Sequence, residues 1–397
     1  MSLRFSVMVK NRLFRVALLI ETHRTYARDL LAGVRRWMDQ NESWSTFMEI
    51  GGVPDQPPGW LAQWDGHGII SRTFTREMAD AIEATGLPAV ELRATKFGGN
   101  CPFVGMDNSL IGQMVADHFL NRGYRNFGVY SLDTELFFQE RVRNFVKAVE
   151  VRGYVGNVLP AGDDRHPESW EDNQQRLITW LEQLPKPVGI FATNDQLGVR
   201  VLDACQRADL SVPEEVAVVG TENDETLCGF ASPPLTSLRF DGLRVGYEAA
   251  EILQRLMIGE TVEKMETLVS PKGMVVRASS DDLVINDPVV ARAARLIREN
   301  ALHGLTVNEV CHRLNLSRST LERRMKKALG RTPKSEISRI RFKEVERLLV
   351  ETDLTLDIIA EQTGFTHSEY FHSAFQERYR QTPTEFRRAF YTDRLNS

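Results

Sequence analysis

Cysteine is scarce. The 397 residues hold four, Cys101, Cys205, Cys228 and Cys311, far apart and without a C-x-x-C pair. That spacing argues against a disulfide framework and a cysteine-rich zinc site, and the plain reading is free thiols in a reducing cytoplasm. Long apolar runs are missing too: nothing reaches the ~18 residues that a membrane helix needs. The run Val16 to Ile20 follows basic residues but is stopped by Glu21. It is too short for a secretion signal and reads as a first β-strand. Phosphate cradles are absent, with neither G-x-G-x-x-G nor G-x-x-x-x-G-K-[ST]. No nucleophile motif occurs either. A hydrolase built on paired carboxylates such as Asp107 and Glu222 therefore has little support, and the expectation is no catalytic residue, no cofactor and no metal.

What is present is an ordinary globular composition, 42% apolar, on a chain long enough for two or three domains. The net charge of −5 is unevenly spread. Residues 285–397 carry 20 Lys and Arg against 15 Asp and Glu, whereas residues 1–284 carry 29 against 39. A basic tail on an acidic body suggests a polyanion partner for the tail.

The first 240 residues alternate short apolar runs with amphipathic patterns. Segments 15–20, 47–50, 66–71, 88–92, 127–131, 188–193 and 216–221 read as strands, and 26–40, 109–123 and 168–184 as helices. This alternation predicts parallel βαβ units with both sheet faces covered. Ligands bind such sheets at the C-terminal ends of the strands. That rule selects Glu21, Thr22, Ser71, Arg72, Asp107, Asn108, Asn194, Asp195, Glu222 and Asn223. With aromatic walls from residues such as Tyr26 or Trp170, the set suits a neutral polyhydroxylated ligand. The blander reading is that Asp and Asn after strands cap the next helix.

A polar linker over 281–287 separates this body, 1–280, from an all-helical tail, 288–397. The tail contains a repeat. "LTVNEVCHRLNLSRSTLERRMKKALGRTP" (305–333) and "LTLDIIAEQTGFTHSEYFHSAFQERYRQTP" (354–383) each give a capped helix, a tight turn, a polar second helix and a closing Thr-Pro. Thr306-x-x-Glu309 and Thr382-x-x-Glu385 are capping boxes. Helix, tight turn, helix is the helix-turn-helix pattern. Segment 335–351 reads as one helix between the copies, with Ile337, Ile340, Val345, Leu348 and Leu349 on one face.

The tail resembles the AraC/XylS family of transcription regulators over roughly 288–392. The carriers are Ile359-Ala360, Gly364-Phe365, Tyr370-Phe371, Phe375, Thr382-Pro383 and Phe386-Arg387. One departure is Arg380, where the family usually has Gly; Gly330 keeps that feature in the first copy. The body, 14–278, resembles the two-lobed periplasmic-binding-protein fold of lac-repressor-type regulators. The matches are "VGMDN" (104–108), "RGYRNFGVYS" (122–131), "ERVRNFVKAV" (140–149), the stretch 191–224 and "SPPLTSLRFD" (232–241). The expected fold is thus an α/β sensor with Rossmann-like parallel sheets, lobe one about 14–123 and 240–278 and lobe two about 124–239, followed by a double helix-turn-helix domain.

The resemblance implies a cytoplasmic DNA-binding activator induced by D-xylose, with two operator half-sites, RNA polymerase as a partner and a homodimeric state. Another pentose or monosaccharide, or a repressor of the same build, is the alternative; a tail that binds protein instead of DNA is a further one. Carried residue by residue, the family's sugar-facing positions are Asp107, Arg141, Asn194, Asp195 and Glu222. Glu21, Tyr26 and Arg28, around the end of the first strand, complete the candidate set. Family members mostly have Asp where Glu222 stands. The base-reading positions are Arg318, Ser319, Glu322 and Arg323 in the first copy and His367, Ser368, Glu369, His372 and Ser373 in the second. Lys326, Lys327 and Arg378 are candidates for phosphates, and all of these could be plain solvated helix surface.

His367 and His372 raise the question of a metal. A helical zinc pair sits at i, i+4, about 40° apart around the axis. These two lie at i, i+5, about 140° apart. The repeat makes Thr366 an N-cap and puts Glu369 where a capping-box glutamate belongs.

Overall fold

The computed structural model describes residues 13–41, 43–49, 56–73, 75–93, 101–133, 135–161, 170–281, 287–352, 354–365 and 368–388. They form two units, Met1–Asp282 and Leu283–Ser397. No described helix is long and apolar enough to cross a membrane.

The first unit holds two six-stranded sheets. The lobe-one sheet comprises β1 (Arg15–Leu19), β2 (Ser45–Met48), β3 (Gly68–Ser71), β4 (Ala89–Glu91), β5 (Phe103–Met106) and β11 (Glu266–Val269), all parallel, in the order β11-β5-β4-β3-β1-β2. The lobe-two sheet comprises β6 (Asn126–Ser131), β7 (Gly156–Pro160), β8 (Val188–Ala192), β9 (Val216–Glu222), β10 (Thr236–Arg239) and β12 (Gly273–Val275). Its order is β12-β10-β9-β8-β6-β7, with only β12 antiparallel. The inner strands β1, β3, β8 and β9 are apolar along their length because helices cover both faces. Val188, Ile190, Phe191, Val216, Val218 and Val219 are all fully buried.

Helices α1 (Thr25–Gln40) and α8 (Gly242–Met257) cover lobe one together. They cross at Gly33 and Gly246: a Cβ on either would run into a backbone carbonyl of the other helix, Leu243 or Leu30. The backbones can meet only because those side chains are missing.

Two boundaries differ from the sequence expectation. Helix α3 (Asn108–Asn121), expected in lobe one, packs on α4 (Leu136–Glu150) of lobe two, with Phe119 against Tyr124 and Phe145. Strand β12 lies in the lobe-two sheet, not lobe one. The chain therefore crosses between lobes right after β5, between β10 and α8, and between β11 and β12.

In the second unit α9 (Pro288–Asn300), α10 (Val307–Leu314) and α11 (Arg318–Leu329) surround one core, in which Val290, Ile297, Val310, Leu321 and Met325 are fully buried. A second core joins α13 (Leu356–Gln362) and α14 (Ser368–Tyr379) through Ile359, Phe371 and Phe375. Helix α12 (Pro333–Glu351) serves both: Ile337 and Ile340 enter the first core, and Phe342, Val345, Leu348 and Leu349 the second. The Thr306 capping box forms, and Thr382 and Glu385 bond reciprocally in the same way.

Candidate ligand cleft and nucleic-acid interface

The strand ends of the two lobes meet at a cleft. Glu21, just past β1, is buried and ion-paired to Arg72, just past β3. Tyr26 on α1 packs edge-on against Phe240, ring centroids 5.4 Å apart, and the Arg72 guanidinium lies over its ring at 5.6 Å. From lobe two comes Arg141 of α4, also buried. It donates to Asn108 Oδ1 (2.9 Å), the Thr193 carbonyl (2.7 Å) and Thr221 Oγ1 (3.3 Å), and lies 5.0 Å from the rings of both Phe137 and Phe240. Glu222 ends β9 with φ of 102°, and Asn223 follows with φ of 55°. Two consecutive non-glycine residues in that region mark a turn held by its surroundings.

Charge and burial act on this cluster together. Burial lowers the Arg72 and Arg141 guanidinia to about 10, so both stay cationic at neutral pH. Burial raises the Tyr26 phenol, with Arg141 opposing and Glu222 adding. Two buried acceptors, Glu21 Oε2 and Asn223 Oδ1, have no hydrogen-bond partner among the described residues. Buried polar groups are almost always paired. Unfilled acceptors on both lobes need donors such as hydroxyls.

Other predicted positions have internal partners. Asp107 caps α3, accepting from Leu110 N (3.0 Å) and Ser109 Oγ (2.6 Å). Asn194 caps α6 (Asp195–Arg207), accepting from Leu197 N at 2.8 Å. Asp195 is 1% exposed and takes Ser237 Oγ at 2.6 Å and Asp224 N at 2.8 Å. Burial pushes its carboxyl up to about 8 despite those donors. Arg28 is exposed and donates to the Thr22 and His23 carbonyls and to Thr25 Oγ1. It holds the turn from which Thr25 reaches across to Asp224 at 2.7 Å. Trp170 is no cleft wall: it starts α5 (Trp170–Gln183), 38% exposed, under Arg207.

A second bridge between lobes joins Arg93, just past β4, to Glu135 before α4, with Nε to Oε2 at 2.6 Å. Beside it lies a cavity of about 930 Å³ lined by Ser71, Thr73, Glu91, Arg93, Asp107 and Arg143 among others. Glu21, Tyr26, Arg141 and Glu222 do not line it, so cavity volume does not coincide with the cluster of convergent polar groups. Phe240 and Phe137 escaped the sequence reading. Phe240 follows β10, so the strand-end rule would have found it had that four-residue strand been recognised.

In the tail, α11 buries Leu321, Met325 and Leu329 and leaves Ser319, Arg323, Lys326 and Lys327 exposed. Arg318 is exposed and pairs along the helix with Glu322 at 2.9 Å. Such a pair is worth only ~0.3–0.5 kcal/mol and can open to a base. In α14, Glu369 and Tyr370 are exposed and His372 half-buried, while Ser373 Oγ donates to the Glu369 carbonyl at 2.9 Å. Arg378 lies 5.2 Å over Phe342, which ties its guanidinium to the core edge. Thr366, His367 and the side chain of Ser368 lie outside the described residues. No cluster of three or more His, Cys, Asp or Glu able to hold a metal occurs among the described residues.

Comparison with known proteins agrees with this division. Residues 116–280 match the periplasmic binding protein-like domain, and residues 310–389 the helix-turn-helix domain. The xylose operon regulatory protein of Haemophilus influenzae is 29% identical over 94% of this chain and 98% of its own length. That of Escherichia coli K12 is also 29% identical, over 94% and 96%. Among solved structures, a xylose-binding transcription activator superposes with a TM-score of 0.81 at 27% identity, covering 95% of this chain and 98% of that one. A lac repressor dimer bound to operator shares the sensor fold at a TM-score of 0.55 and 18% identity, over 69% and 95%. Two domains in this order, with likeness along nearly the whole chain, make this protein a DNA-binding transcription regulator built like the xylose operon regulatory proteins.

Proposed function

We propose that the cleft binds D-xylose and that its occupancy controls DNA binding by the helix-turn-helix domain, as an activator of genes for xylose uptake and breakdown. The observation that carries the ligand reading is the pair of unfilled buried acceptors, Glu21 Oε2 and Asn223 Oδ1, one on each lobe, together with the group made of Tyr26, Arg72, Arg141, Glu222 and Phe240. A polyol supplies donors to the two carboxylates and the carboxamide and accepts from the guanidinia, and the aromatic rings cover its C–H faces. An analogue without those hydroxyls leaves the buried groups unpaired. The names of the relatives point to xylose as the polyol.

The same reading makes the protein a cytoplasmic homodimer that meets RNA polymerase at two operator half-sites, and not an enzyme. Asp107 supports the last point, since its carboxylate is engaged in capping α3 and would leave Glu222 without a paired acid. In the tail, Arg318, Ser319, Glu322 and Arg323 would read bases from α11, and Glu369, His372 and Ser373 from α14; Arg to guanine and Glu to cytosine are the chemically matched pairs. The test is a thermal-shift panel of monosaccharides on the full chain. A ligand that binds only the native state at 100 times its Kd adds about 2.7 kcal/mol. D-xylose is expected to raise the sensor transition; no shift with D-xylose beside a clear shift with another sugar overturns the assignment.

A further inference from the structure

The sensor must pass its state to the point where the chain leaves it. Ser279 and Ser280 are both fully buried, and they are the last two-sided anchor before the linker. Ser279 Oγ donates to the Val218 carbonyl (2.7 Å) and accepts from Thr236 N (2.8 Å); Val218 N donates to the Ser279 carbonyl (2.9 Å). Ser280 Oγ meets His118 Nε2 at 2.8 Å, and the Ser280 carbonyl accepts from Arg122 Nε at 3.0 Å. His118 is held neutral there, since burial and Arg122 lower it to about 3. The helix-turn-helix unit then starts at Asp287, which caps α9 and pairs with Arg324 at 2.6 Å.

Both elements that grip this anchor have one end at the cleft. Helix α3 starts with Asn108, bonded to Arg141, and reaches Ser280 through His118. Ten residues of helix span about 15 Å. Strand β9 ends at Thr221 and Glu222 beside Arg141 and meets Ser279 at Val218. Four residues of strand span about 13 Å. Moreover, α3 is the first element after the chain crosses from β5 of lobe one into lobe two, one of the three crossings between the lobes.

We infer that α3 and β9 carry cleft closure to the Ser279–Ser280 anchor, and that His118, Arg122 and Ser280 are positioning residues that set the exit of the chain toward the DNA-binding unit. This rests on the regulatory reading above and adds its route. Coupling between sites requires an element whose arrangement both sites bias, and α3 is in contact with both the cleft, through Asn108, and the exit, through His118.

The test uses the full chain, D-xylose, and a duplex selected for tight binding from a random-sequence pool. The ratio of DNA affinities with and without saturating D-xylose measures coupling. Ser280→Ala is expected to keep D-xylose affinity within about two-fold and to shrink the ratio about five-fold, as loss of one neutral hydrogen bond does. His118→Leu should shrink it similarly, the double variant no further, and His118→Gln, which keeps a donor, should recover most of it. Arg122→Gln, at a partly exposed helix end, gives the same readout without disturbing the interior if Ser280→Ala folds poorly. A wild-type ratio far from one that these variants leave intact overturns the route alone. A wild-type ratio of one removes the regulatory reading and the route with it.

Discussion

At the residue scale, two positions have conformations or charges that their neighbours impose. Arg380 has φ of 58°, in the left-handed region that Gly330 occupies at φ of 71° in the first copy. The second copy of the repeat therefore has the same backbone turn as the first with an arginine in place of the glycine. Arg380→Gly should stabilise the helix-turn-helix unit by ~0.5–1 kcal/mol, the relief of strain exceeding the added freedom of the unfolded chain. Denaturant unfolding measures it, and an unchanged midpoint counts against strain at this turn. Asp195 presents the other case. Its folded carboxyl is raised by burial from 3.8 to about 8, so the unfolded chain ionises first. Its contribution is full below about pH 4 and is lost as pH rises toward 8. Asp195→Asn cannot ionise. Relative to wild type it should gain on the order of 1–3 kcal/mol between pH 5 and pH 8 in denaturant titrations without sugar. Parallel profiles would show that Asp195 is already ionised in the fold.

At the element scale, the recognition helices divide their faces as the repeat predicts. Leu321, Met325 and Leu329 in α11, and Phe371 and Phe375 in α14, point inward, leaving short polar faces outward. His372→Ala should lower DNA affinity by ~1–3 kcal/mol and relax base preference at its position. Lys326→Ala should weaken all sequences alike and lower the salt slope by about one. Both should leave sugar affinity as in wild type, as read by calorimetry; a changed sugar affinity with normal DNA binding contradicts the division of labour. These helices were legible because periodicity, caps and the repeat all agreed. The strands were legible mainly where burial on both faces made them apolar, and the exposed β2 was placed two residues too far along. Strand β7 escaped as an exposed edge, and β5, β10, β11 and β12, of three or four residues each, escaped as well. The lobe of α3 was misplaced for a different reason: chain order sets it beside β5, whereas packing of Phe119 on Phe145 sets it in lobe two.

At the scale of the whole molecule, the strand-end rule picked residues that gather where the two lobes face each other, but not which of them have internal partners. Asp107 and Asn194 followed the capping expectation, since one carboxylate or carboxamide oxygen bonds the helix start. Distinguishing the roles needed three-dimensional neighbours: Arg72 over Tyr26, Arg141 between Phe137 and Phe240, and acceptors on both lobes left without donors. The lobes are already joined by Thr25 to Asp224 and by Arg93 to Glu135. A ligand that favours one arrangement of the lobes shifts the equilibrium by its preference for it, and no more. Whatever a sugar does to DNA affinity, DNA must do to sugar affinity by the same factor.

That reciprocity supplies the most direct measurement: calorimetry of D-xylose binding to the full chain, free and saturated with a selected DNA duplex. The account predicts affinities that differ by ~5–150-fold, by the same factor as the DNA affinities with and without sugar. Identical D-xylose affinities in the two titrations would contradict it.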